Sequence, residues 1–195
     1  VYSRTGSAIR YDFKTGEQET LNSSVAAPME VFHSQNGKFS AGFTSKGTLW
    51  LTDSGSTQPR LTFQVNRGNV SEADGNVLSD AALASDDRLM FATGSNNRLT
   101  AWRTADGSVA WEEVLTNSGV VIAVDPYSRR LFLGGGFETL KIYDADIGEL
   151  VRELSGGNGT ESLFVDKVNQ RLLSGHADGT LRIHNLALKA RPSIH

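Results

Sequence analysis

The chain has no cysteine among its 195 residues. Disulfide staples and thiolate metal sites are therefore excluded at once. Histidine is almost as scarce, with His33, His176, His184 and His195 spread along the sequence. No two of them fall in one class of loop, so no metal site and no catalytic constellation is expected. Proline occurs four times, and no apolar run approaches the ~20 residues that a membrane helix needs. No membrane partner is expected. A basic excess is also missing: 19 Lys and Arg stand against 22 Asp and Glu. That balance gives no electrostatic reason to bind nucleic acid. The chain opens Val1-Tyr2-Ser3 without methionine or a leader pattern. It reads as starting inside a strand and is expected to be a piece of a longer polypeptide. Gly134-Gly135-Gly136 lacks the following lysine and helix of a phosphate loop, and no cofactor is expected.

Glycine is plentiful, at 20 residues. Without collagen periodicity, that much glycine points to many tight turns and hence many short strands. Five segments share one pattern of polar turn followed by alternating strand. Their equivalent positions are Tyr11, Thr52, Trp102, Tyr143 and His184, spaced by 41, 50, 41 and 41 residues. A second landmark, a basic residue before an apolar one, falls at Lys38-Phe39, Arg88-Leu89, Arg130-Leu131 and Arg171-Leu172. Its spacings are 50, 42 and 41, and Gly42, Gly94, Gly134 and Gly175 follow a few residues on. Both landmarks show the same excess in the same gap.

A period of this length with four strands per unit is the signature of a β-propeller blade. The fold expected is all-β, built of four-stranded antiparallel blades. One unit is laid out as an inner strand over 119–125, a second over 131–135, a third over 139–144 and an outer one over 149–154. The inner strand reads as a continuous apolar run and is expected to be buried on both faces. The outer strand alternates and is expected to be half solvated. The whole chain then divides into a partial blade over 1–24, blades over about 25–65, 77–116, 117–157 and 158–195, and an insertion over 66–76.

The run Leu173-Ser-Gly-His-Ala-Asp-Gly-Thr-Leu-Arg-Ile-His-Asn185 resembles the second and third strands of a WD-repeat blade. Tyr11-Asp12-Phe-Lys-Thr-Gly16 and Tyr143-Asp144-Ala-Asp-Ile-Gly148 resemble that family's third-strand end and following turn. The Gly-His that precedes the family's inner strand is missing, and Ser155-Gly156-Gly157 stands at that point in the last unit. Gly175-His176 lies between the second and third strands, so it is not that motif, and the family's hydrogen-bonded tetrad cannot be complete. The resemblance implies a ring of seven blades, which needs about 290 residues. Further blades are expected from flanking or partner sequence, with a five-bladed ring as the alternative.

Asp106-Gly107 and Asp178-Gly179 read as turn chemistry. Lys38, Arg88, Arg129, Arg130 and Arg171 share one rim with Lys14, Lys167 and the acids Asp86, Asp87, Asp106, Asp146 and Glu149. Mixed signs there read as a solvated surface. Residues 66–76 are polar and are expected to project as a loop. Arg67, Glu72 and Asp74 of that loop, with His176 in a turn on the same face, are the candidate partner-binding residues. The function expected is a non-enzymatic protein-interaction scaffold in an intracellular, cytoplasmic setting. Trp102 to Trp111 resembles a blade of the quinoprotein dehydrogenases, which makes a quinoprotein-like enzyme the alternative. A purely structural blade set in a larger assembly is a third reading.

Overall fold

The computed structural model describes residues 8–11, 15, 17–21, 30–34, 36–44, 47–54, 56, 58–65, 78–84, 86–117, 120–125, 128–136 and 138–186. The described residues form seventeen strands and no helix. A hairpin, β1 (Ala8–Tyr11) and β2 (Gln18–Leu21), comes first. The first blade is β3 (Glu30–His33), β4 (Phe39–Phe43), β5 (Thr48–Asp53) and β6 (Leu61–Gln64). The second is β7 (Leu78–Leu83), β8 (Leu89–Gly94), β9 (Arg98–Arg103) and β10 (Val109–Val114). The third is β11 (Val121–Asp125), β12 (Arg130–Gly134), β13 (Thr139–Asp144) and β14 (Leu150–Ser155). The fourth has β15 (Thr160–Asp166), β16 (Arg171–His176) and β17 (Leu181–Asn185). Each blade is an antiparallel meander with its strands in sequence order, and the four are arranged as a β-propeller.

All five equivalent positions lie on third strands or, for Tyr11, on the first strand of the hairpin. The second landmark also has a structural cause. The residue before each basic one, Gly37, Asp87, Arg129 and Gln170, has φ of 70°, 58°, 54° and 50°. This left-handed residue reverses the chain between the first and second strands. The repeat is therefore a repeat of turns as much as of strands.

One expectation fails on burial. The inner strand β11 has only Ile122 buried, whereas β12 is buried at four of its five residues and β8 at all six. The sheet order explains it. The inner strand has a hydrogen-bonded neighbour on one edge only, while the second strand has strands on both edges and blades on both faces. The outer strand β14 does not alternate either: every residue but Leu154 is exposed. Blades fan apart away from the axis, so at the outer strand only a large side chain spans the gap.

The blades stack through one repeated contact. In the first blade Phe32, Ala41, Leu49 and Leu51 face forward onto Ala81, Met90 and Trp102 of the second. In the second, Ala82, Phe91, Leu99 and Ala101 face forward onto Ile122, Leu131 and Tyr143 of the third. In the third, Ala123, Phe132, Leu140 and Ile142 face forward onto Leu163, Leu172 and Leu186 of the fourth. Polar ties fix the register between blades. The Thr93 hydroxyl donates to the Val120 carbonyl at 3.0 Å, and the Ile122 amide donates to Asp80 Oδ2 at 2.8 Å. Asn36 Nδ2 donates to the buried Asp87 carboxylate.

Candidate interaction surfaces

The forward face repeats once more on the fourth blade, where no described residue covers it. One repeat beyond Ala123, Phe132, Leu140 and Ile142 stand Phe164, Leu173, Leu181 and Ile183. Phe164 pairs with Leu173, Leu173 with Ile183 and Gly175 with Leu181, so the four share one face. Phe164 is 64% exposed, Leu181 65% and Ile183 58%. Their equivalents Leu140 and Ile142 are 0% and 5% exposed. Apolar side chains contiguous in this way are uncommon on a free surface, because burial of each is worth about 1.5–3 kcal/mol.

The rim between the second and third blades is held by ion pairs. Arg88 Nε lies 2.6 Å from Asp86 and Arg129 Nε 2.9 Å from Asp146, and the cross pairs, Arg88–Asp146 at 3.4 Å and Arg129–Asp86 at 3.9 Å, join the two blades. The mixed signs read from the sequence thus neutralise one another locally. The turn acids behave as read: Asp106 Oδ1 accepts from the Ser108 amide and hydroxyl, and Asp178 Oδ1 from the Thr180 amide and hydroxyl. These hydrogen bonds hold both carboxyls below the usual carboxylate range.

Of the four candidate partner-binding residues, Arg67, Glu72 and Asp74 lie outside the described residues, as does the whole insertion over 66–76. His176 is at the end of β16 rather than in the turn, and it is 6% exposed. Its Nδ1 is 3.0 Å from the Asn158 carbonyl and its Nε2 is 2.8 Å from Ser174 Oγ. Both ring nitrogens are engaged inside the blade, which leaves none for a partner.

His176 and His184 nevertheless come together, on the hydroxyl of Ser174. Ser174 Oγ also lies 2.9 Å from His184 Nε2. A carbonyl can only accept, so whenever the His176 ring is uncharged it carries its proton on Nδ1 and accepts at Nε2 from the serine hydroxyl. The hydroxyl oxygen then accepts from His184 Nε2–H. One chain of donors runs from β17 through β16 to the loop before β15. Ser174 is 0% exposed, so its oxygen is a structural relay and no nucleophile for a substrate. The signal in the sequence was the alternation Ser174, His176 on one strand face opposite His184. Loop class alone leaves strand register out of sight. His33 is exposed on β3 with Nδ1 2.9 Å from Ser40 Oγ, and His195 lies outside the described residues.

Among the described residues no group of three or more His, Asp or Glu is placed to hold a metal ion, and no helix is long and apolar enough to cross a membrane. Four meander blades stacked by one repeated forward face define this molecule as a β-propeller chain. No known protein family matches it, and it matches no curated protein.

Proposed function

We propose that the chain is a non-enzymatic interaction scaffold of WD-repeat-like blades, completed by further blades of the same or another polypeptide and working by binding other proteins. The observation that carries this reading is the forward face of the fourth blade. Phe164, Leu181 and Ile183 are exposed at positions whose equivalents are core in the preceding blades. A blade seated there would remove from water the apolar side chains that the other blades already bury. The WD-like character is supported by the buried hydroxyl of Ser174 on the second strand, bonded to His184 at the aromatic position of the third. An intracellular setting belongs to the same reading.

A photo-crosslinking residue at position 164, in the full-length protein in its cell, tests it. The expected product joins residue 164 to a β-strand of another blade, within the polypeptide or between two. A residue 164 that remains free of any protein crosslink would overturn the reading.

A further inference from the structure

A cleft of about 510 Å3 opens between the third and fourth blades, at the rim where the first and second strands of each are joined. The corresponding gap between the second and third blades is shut by two devices. One is the ion-pair clamp, in which Arg88 reaches Asp146 at 3.4 Å and Arg129 reaches Asp86 at 3.9 Å. The other is Trp111 of the outer strand, whose indole N–H donates to the Ala145 carbonyl at 3.0 Å.

Neither device repeats one blade on. Ser128 stands in the place of Asp86, Gln170 in that of Arg129, and position 187, in that of Asp146, is alanine. Each cross pair thus loses its acid, and one loses its arginine as well. Arg130, in the place of Arg88, turns to Asp144 of its own blade at 3.4 Å. Arg152 pairs with Ile142 as Trp111 pairs with Ala101, and it is exposed. Ser128, Arg130, Gln170 and Arg152 all line the cleft. It stands open because the residues that would tie its walls together are changed.

The lining is of mixed chemistry. Val151, Val165 and Leu186 supply an apolar wall. The two acids of the lining, Asp125 and Asp166, are taken up by their own turns. The Ser128 hydroxyl donates to Asp125, and Asn169 donates its amide at 3.1 Å and its side-chain N–H at 2.7 Å to Asp166. Arg152 has no hydrogen bond or ion pair among the described residues. Its guanidinium offers parallel N–H donors in the geometry that suits a carboxylate. A bare inorganic anion would leave the apolar wall wet, and a hydrocarbon would leave the guanidinium unused. The volume is that of a small-molecule site.

We propose that this cleft binds a carboxylate that carries a branched aliphatic group. The C-terminal residue of a peptide is one source of that chemistry, and a free branched acid is another. The carboxylate pairs with Arg152, and the aliphatic group lies against Val151, Val165 and Leu186.

Backbone amide NMR of the full chain reads the binding. N-acetyl-L-leucine should give saturable shifts at positions 128, 130, 151, 152, 165 and 186, in the millimolar range ordinary for a probe this small. N-acetyl-L-leucinamide lacks the charge and acetate lacks the aliphatic group, so each should bind at least about fivefold more weakly. 4-Methylpentanoate separates the two sources: tighter binding of N-acetyl-L-leucine assigns a peptide terminus, and the reverse a free acid. Arg152→Ala should weaken N-acetyl-L-leucine about three- to tenfold, and Arg152→Lys by less. Ser128→Asp combined with Gln170→Arg rebuilds a cross pair of the clamp and should abolish the shifts. If that double variant does not fold, the Arg152 variants still decide. Equal binding of acid and amide, no loss in Arg152→Ala, or shifts that fall on Phe164, Leu181 and Ile183 would overturn the proposal. The last outcome leaves the scaffold reading standing, whereas a position 164 free of crosslinks counts against that reading and not against the cleft.

Discussion

Trp111 and Gly148 are two halves of one contact. The tryptophan spans the widening gap between the second and third blades, and the glycine is small enough to let it lie flat. Gly148 has φ of 75°, where a side chain is strained, and any Cβ there would collide with the indole at 2.6 Å. Gly148→Ala is therefore expected to cost about 2–3 kcal/mol. Trp111→Ala removes the ring and its bond to Ala145 and should cost about 3 kcal/mol. Once the ring is gone, only the backbone strain at position 148 remains. The double variant should thus be more stable than the sum of the two losses implies, by about 1 kcal/mol or more. Urea unfolding of the three variants checks this, and simple additivity would mean that the two residues do not meet.

At the scale of elements, the fourth blade is tied together by a hydrogen-bond chain that runs through two histidines. Burial first, and then the charges of His176 and Arg182, push the His184 pKa below its ordinary 6.5. The folded chain therefore holds His184 neutral where the unfolded chain would charge it. The unfolded state binds the extra proton, so this contribution is fully present above pH 6.5 and is lost as the pH falls through the lowered value. Urea midpoints should drop between about pH 7.5 and pH 5 more in the wild type than in His184→Phe. Equal drops would show that His184 titrates alike in both states. Repeat spacing made the strands legible in the sequence, because a blade places the same turn at the same interval and glycine, aspartate and asparagine mark it. The burial gradient within a blade was not legible. An apolar run such as Val120-Val121-Ile122-Ala123-Val124 states hydrophobicity, not which sheet edge it will occupy. The Ser174 relay was hidden for a related reason. Its members are ten residues apart in sequence and adjacent only through the β16–β17 register.

At the scale of the whole molecule, the governing fact among the described residues is that one apolar face is used repeatedly and is left uncovered on the fourth blade. Three blades bury that face on their successor, and the fourth presents Phe164, Leu173, Leu181 and Ile183 with no described residue against it. Composition hinted at the number of strands, and the 41-residue spacing at the number of blades. Neither could say which forward face lacks a described neighbour, because a forward face reads the same in sequence whether or not a neighbour covers it. The chain supplies its own control: Ile142 and Ile183 are the same residue at the same place in consecutive repeats, 5% and 58% exposed. The deciding measurement compares the unfolding free energies of Ile142→Ala and Ile183→Ala in this chain. The account predicts a loss of about 2–4 kcal/mol at position 142 and less than about 1 kcal/mol at position 183. Equal losses at the two positions would contradict it, since they would mean that the last forward face is already covered.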